Sequence, residues 1–344
     1  MNKPKRIFVV YGVNYNPVKM FFQTHNLVKG FLRLGHDVLS FNYDRVLREF
    51  SIFKSKTLSE MFYKSRVDRQ MVEQIRFYKP DIILVSFARA LNAASIKCMR
   101  EAAPNAIFIG GDEDPWPGLQ RNRIETAKQL DILTATNDGK WLQEYRDAGV
   151  PLCKFLPNAC DPLIDRRYDV EEKWKTDILW TGKAKHHADS SETLREEIVS
   201  KLVHQNNCRL YGCWGQPKIG GIDYLYAISG AKIGVSINAI NSVKFYHSDR
   251  LTHYLSCGTC VLVKEVPDTE LLFKGDEHVI YFNEVDEFFE LASWYLEHES
   301  ERKKIADAGM ERVHKEFNCK KIAQYLLDLV ETGSYKAPWT EFCS

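Results

Sequence analysis

The sequence predicts two doubly wound, Rossmann-like α/β domains in series, each a parallel sheet covered by helices, facing one another across a cleft. Short β-branched apolar runs alternate with amphipathic stretches, the pattern that parallel βαβ units require. That alternation breaks once, in a mixed-charge segment holding Pro157 and Pro162, and then restarts. A chain of 344 residues also has the length of about two domains, each with its own core.

In the first half, strands are expected over 6–11, 37–41, 81–85, 106–110 and 131–134. Helices over 18–34, 59–78, 91–102 and 138–149 connect them, the first stopped by Gly35. The first domain spans 1–157 and the linker 158–175. The second domain, 176–317, alternates strands at 177–181, 208–211, 232–237, 260–264 and 278–282 with helices at 191–204, 222–229, 248–256 and 269–273. The end is helical, over 285–297, then 300–317 with Ser300 as N-cap, then 318–331 with Asn318 as N-cap. Residues 318–344 are expected to pack back on the first domain, with the tail 335–342 on a surface.

Lys+Arg 47 against Asp+Glu 46 leaves a net charge of +1, which excludes a surface that is one continuous footprint for nucleic acid or anionic lipid. The apolar runs at 7–12 and 82–87 are too short to span a bilayer. Lys3, Lys5 and Arg6 precede an apolar run that ends at Asn14 without a cleavage site, so it reads as a buried strand rather than a signal peptide. Nine scattered cysteines do not make a disulfide framework, and the expected compartment is cytoplasmic. Cys257 and Cys260 have redox spacing, with Cys208 and Cys213 as a conceivable second pair. Their places at a helix end and in a strand suit small core hydrophobes. No P-loop, Gly-x-Ser-x-Gly elbow or three-glycine dinucleotide fingerprint occurs.

Residues 248–317 carry Arg250, the turn Gly258-Thr259 before an apolar strand, Glu270, Phe273, Gly275 and Glu277, then Tyr295-Leu296, Ile305-Ala306, Gly309 and Phe317. In order and spacing this stretch resembles the C-terminal domain of GT-B glycosyltransferases, in particular the group-1 and CgeB-like families. Weaker echoes are Leu156-Pro157-Asn158, Trp180-Thr181-Gly182, Tyr211-Gly212 and the segment 231–234. The resemblance implies an enzyme moving a hexosyl or pentosyl group from a nucleotide-diphosphate sugar to an acceptor hydroxyl, without a metal and with retention of configuration.

A diphosphate leaving group needs cations and backbone amides. Arg250 offers a guanidinium fork that matches phosphate oxygens, the alternative being an ion pair with Asp249 or Glu270. The resemblance places a second cation at Lys183, beside Gly182, with Lys185, His186 and His187 nearby; the alternative is a solvated basic loop. Tyr211 and Gly212 are candidates to face the base, and His247 lies on the donor side. Two glutamates that retaining relatives use for sugar and ribose are replaced by Phe245 and His253, an imidazole accepting fewer hydrogen bonds than a carboxylate. Glu265 and Glu270 are alternative sugar contacts, Glu270 being equally suited to a helix N-terminus.

On the acceptor side, Gly12 and Asn14 follow the first strand. Asp112, Glu113 and Asp114 follow the fourth, where Asp112 or Asp114 would act as base in an inverting enzyme. Their alternative is a surface turn before Pro115. Asp112-Glu113-Asp114 also has the Asp-x-Asp form of metal-binding transferases of another fold, but the nucleotide features here lie in the second half. The acceptor, whether glycan, protein, small molecule or modified DNA, is left open. Two rivals stand: a nucleotide-sugar or glycan-binding protein without catalysis, and a transferase acting on modified DNA bases with a basic stripe at Lys64, Arg66 and Arg69 or at Arg121 and Arg123.

Overall fold

The computed structural model describes residues 3–12, 23–86, 91–112, 121–184 and 192–343. Asn14, Glu113, Asp114, Lys185, His186 and His187 lie outside the described residues.

The first domain runs β1 (Arg6–Tyr11), α1 (Gln23–Arg33), β2 (Asp37–Asn42), α2 (Tyr43–Phe50), α3 (Lys56–Tyr78), β3 (Ile82–Ser86), α4 (Ala93–Ala102), β4 (Ile107–Asp112), α5 (Arg121–Ala127), β5 (Ile132–Ala135), α6 (Lys140–Asp147) and β6 (Leu152–Phe155). Its six strands are all parallel, in the order β2-β1-β3-β4-β5-β6. The central strands β1 and β3 are buried along almost their whole length, as strands covered by helices on both faces must be. The strand β6 is absent from the sequence-based expectation, which assigns no element to the short stretch between Pro151 and Pro157. The short helices α2 and α5 are likewise additions.

The second domain runs β7 (Thr176–Thr181), α7 (Glu192–Leu202), β8 (Cys208–Tyr211), α8 (Ile222–Ser229), β9 (Ala231–Ser236), α9 (Asp249–Ser256), β10 (Cys260–Lys264), β11 (Ile280–Phe282), α10 (Val285–Glu297), α11 (Glu299–Glu316) and α12 (Cys319–Thr332). Its sheet, ordered β11-β10-β9-β7-β8, is also fully parallel. The chain winds one way from β7 to β8 and the other way from β9 onward, which puts the topological switch point between β7 and β9. Ligands of such sheets sit at the carboxyl ends of the strands flanking that point.

Two details differ from the sequence reading. The helix expected to start at Ser300 starts at Glu299, with His298 as its N-cap residue. His298 closes α10 through its N–H to the Trp294 carbonyl and accepts from the Arg302 N–H with its own carbonyl. The tail expected on a surface is buried: Trp339 is fully enclosed, its ring 4.9 Å from Phe317 and its Nε1–H donating to Tyr335 Oη at 3.1 Å. Tyr335 in turn donates to the Phe155 carbonyl of β6. One apolar cluster runs without a break from the β1–β3 core through Phe155, Phe245 and Phe317 to this tail, and so joins the two domains. Polar contacts flank it. Asp138 N–H donates to the Lys244 carbonyl at 3.0 Å, and Asn158 Nδ2 donates to the His247 carbonyl at 2.8 Å.

Candidate functional site

Arg250 sits in the first turn of α9, whose N-terminus faces the carboxyl end of the second sheet. Its Nη1 donates to the Thr181 carbonyl at 2.7 Å and its Nη2 to the Ile237 carbonyl at 2.6 Å. These two acceptors are the ends of β7 and β9, so the guanidinium bridges the switch point. Its plane lies over the Trp180 indole at 4.3 Å, a cation–π contact in a fully buried aromatic setting. Burial pulls its pKa below the ordinary arginine value, yet a guanidinium stays charged at any working pH. Among the described residues no carboxylate pairs with Arg250, so the expected alternative of an ion pair with Asp249 or Glu270 is not what forms.

Arg195, from the first helical turn of α7, converges on the same point. Its Nη2 donates to the Lys183 carbonyl at 2.6 Å, and its guanidinium lies 4.9 Å from the Trp180 ring. Trp180 Nε1–H takes the Gly182 carbonyl at 3.1 Å. The three successive carbonyls of 181, 182 and 183 are thus each held, by Arg250, Trp180 and Arg195 in turn. Gly182 has φ +126°, and a Cβ there would lie 3.0 Å from Arg250 Nη1. Only glycine fits this backbone and this distance. Its own N–H donates to the Tyr211 carbonyl at 2.9 Å, which brings Tyr211 and Gly212 alongside. Lys183 projects exposed from this turn. The structure therefore assembles Gly182, Lys183, Tyr211, Gly212 and Arg250 at one strand edge and adds Arg195 and Trp180. Arg195 carried no motif signal, because its relation to Gly182 exists only once α7 packs on β7.

The remaining expected donor contacts sit elsewhere. His253 is buried and turned away, its Nδ1 3.5 Å from Asp165 of the interdomain segment. Burial alone would lower its pKa; the Asp165 carboxylate outweighs that and holds it above the ordinary imidazole value. His247 packs edge-on against Phe273 at 5.4 Å and donates Nδ1–H to the Phe245 carbonyl at 3.1 Å. Burial takes its pKa down to about 4, so it is a neutral core residue rather than a donor ligand. Phe245 is fully buried at φ +63°, a left-handed backbone that costs a non-glycine residue roughly 1–3 kcal/mol. Its ring packs on Phe155 at 5.0 Å, in the aromatic cluster between the domains. Glu270 closes a turn by accepting from the Gly275 N–H at 2.9 Å, and Glu265 accepts from Asn283 Nδ2 at 2.6 Å at the end of β10.

Of the residues expected on the acceptor side, Gly12 directly follows β1 and is half-buried. Asp112 corrects the expectation of a base: its carboxylate is almost fully buried, paired to Arg123 on one oxygen and accepting from Tyr145 Oη at 2.6 Å on the other. It ties α5 and α6 to the end of β4. The same pairing removes Arg123 from a DNA-facing stripe. Lys64 is also engaged, by Asp68 at 2.8 Å and Ser95 at 2.7 Å. The cysteines of the described residues are free thiols, and the buried ones have their pKa raised by desolvation, as inert core residues do.

Residues 192–328 match a family model described as glycosyl transferase-like. No curated protein matches the chain in sequence. Among solved structures the chain is similar to HepE of Anabaena in complex with UDP and glucose, at 12% identity and TM-score 0.62 over 95% of this chain and 100% of that one. A glycosyltransferase of Rickettsia africae aligns at 12% identity and TM-score 0.64 over 96% and 98%. A putative UDP-N-acetylglucosamine 2-epimerase of Listeria monocytogenes aligns at 14% identity and TM-score 0.57 over 96% and 97%. The chain has the GT-B architecture of two Rossmann-like domains, and the match to a glycosyl transferase-like domain lies in its second half.

Proposed function

We propose that the protein transfers a glycosyl group from a nucleotide-diphosphate sugar to an acceptor hydroxyl, without a metal and with retention of configuration. The CgeB-like group is the subfamily we favour. The observation that carries the reading is Arg250: a largely buried cation, bridging the ends of β7 and β9, with no carboxylate partner among the described residues. A charge held this way is costly unless an anion completes it, and a diphosphate at the switch point does so. Arg250 and Lys183 would stabilise the diphosphate as it leaves, and a departing phosphate oxygen would receive the acceptor proton. The UDP bound by the Anabaena relative makes uridine diphosphate sugars the first donors to test.

Incubation with a panel of nucleotide sugars and acceptors should show turnover that falls by about 100-fold in Arg250→Ala, the scale of losing one donor to a developing charge. Arg250→Lys keeps the charge but cannot span two carbonyls, and should remain folded by circular dichroism while binding donor more weakly in calorimetry. Full turnover in Arg250→Ala would overturn the proposal. Two observations support rivals. Phe245 and His253 leave both carboxylate positions without a carboxylate, which favours a binding protein; donor binding without turnover would establish it. The fold also carries epimerases, and a sugar epimerised without any acceptor would establish that reading.

A further inference from the structure

The helix α3 has its inward stripe at Ser59, Val67, Met71 and Ile75, all buried. On its first two turns the outward stripe is the apolar one. Leu58, Met61 and Phe62 stand at helical spacings of three and four and are 40%, 67% and 60% exposed, with Ile52 of the preceding turn 82% exposed. Phe53 braces Phe62 at 5.3 Å and Tyr63 at 6.3 Å, so these are ordered rings on a firm base. Large apolar side chains clustered in water mark an interaction surface.

Its border is basic. Between residues 52 and 69 the sequence holds Lys54, Lys56, Lys64, Arg66 and Arg69 against Glu60 and Asp68, in a chain whose total charge is +1. Lys56 lies between Asp44 at 3.0 Å and Glu60 at 3.8 Å, and Lys64 pairs with Asp68. Lys54, Arg66 and Arg69 have no carboxylate partner among the described residues. We infer that this face of α3 and the turn before it docks on the surface of an anionic lipid membrane, with Ile52, Met61 and Phe62 entering the headgroup boundary and the three cations at its rim.

The charge pattern separates this occupant from the others. Two copies of the chain meeting through this face would set like charges against one another. Nucleic acid would use the cations and leave the apolar side chains in water. No helix among the described residues is long and apolar enough to cross a membrane, so the contact lies on the surface rather than through it. At 23 residues α3 is about 34 Å long and ends just before β3 begins, which carries its first turns to the side of the carboxyl strand ends. The docked edge is therefore the acceptor-side edge of the cleft.

The full chain should co-sediment with phosphatidylcholine–phosphatidylglycerol vesicles and much less with phosphatidylcholine alone, the difference shrinking as salt is added. Met61→Ser with Phe62→Ser should lower the partition on the order of tenfold or more. Lys54→Glu with Arg69→Glu should abolish the preference for anionic vesicles. Both double variants are surface changes and should keep the wild-type melting curve. Wild-type protein that stays in the supernatant, or variants that bind as well as wild type, would overturn the inference. So would a self-association seen by ultracentrifugation and lost in the serine variant, which would assign the face to a second copy. None of these readouts uses turnover, so they stand apart from the test of glycosyl transfer.

Discussion

His253 and Asp165 show how one side chain ties the second domain to the rest. Asp165 also accepts from the Asp161 N–H at 2.7 Å, and Asp161 is held by Arg33 on both oxygens and by Lys29 at 3.1 Å from α1. The chain of charges thus runs from the first domain, through the interdomain segment, to the helix bearing Arg250. Burial would raise the pKa of Asp165, but His253 lowers it below the ordinary value of 3.8. A raised histidine contributes stability that is complete below pH 6.5 and is lost as pH climbs through the folded-state value. A depressed aspartate contributes stability that is complete above 3.8 and is lost as pH falls through its folded-state value. Thermal melts from about pH 5 to about pH 9 should therefore show stability declining on the alkaline side. Asp165→Asn removes the carboxylate that outweighs burial, so His253 should turn neutral in the fold; the variant should be destabilised and should lose that alkaline slope. The sequence pointed at His253 through its spacing to Gly258, but its partner lies in another segment altogether, and so its role was misassigned to the ribose.

At the scale of elements, the crossing of α1 and α12 decides how the last helix returns to the first domain. Gly30 is buried in the middle of α1, where glycine is a poor helix former. A Cβ there would collide with the Cys319 carbonyl and lie 2.7 Å from Ala323 Cβ. Gly30→Ala gains helix propensity yet should destabilise by roughly 1–3 kcal/mol, since overpacking pushes the two helices apart. Urea denaturation of the variant checks the sign; a stabilised protein would contradict the close crossing. Most strands were legible because both-face burial leaves runs such as Ile82–Val85 apolar without interruption. The strand β6 was not, because four residues between two prolines carry too short a pattern.

At the scale of the molecule, the tail is the element most misjudged from composition. A segment holding Pro338 and Trp339 reads as surface, yet Trp339 and Tyr335 close the aromatic cluster where Phe155 of one domain meets Phe245 and Phe317 of the other. Lys244 fixes its end, donating to the Phe342 carbonyl at 2.6 Å while lying 3.5 Å from Asp138. Trp339→Ala should cost about 3–5 kcal/mol, the price of emptying a fully buried aromatic site. Removing 334–344 should cost at least as much, and both are measurable by equilibrium unfolding. A change within experimental error in either would show that the tail does not hold the domains together.

The sequence by itself determined the two parallel sheets and nearly all of their strands, which follow from local periodicity; Gly182 and Arg250 it offered through the family resemblance, as candidates. Only the tertiary structure decided that the cation at the switch point is left without a carboxylate, and which polar groups are already satisfied. It left Arg250 so, engaged Asp112, His253 and Lys64 with partners, and enclosed the tail. Pairing depends on contacts between residues far apart in sequence, and the low dielectric of the interior makes each such pairing, once formed, exclude the alternative role.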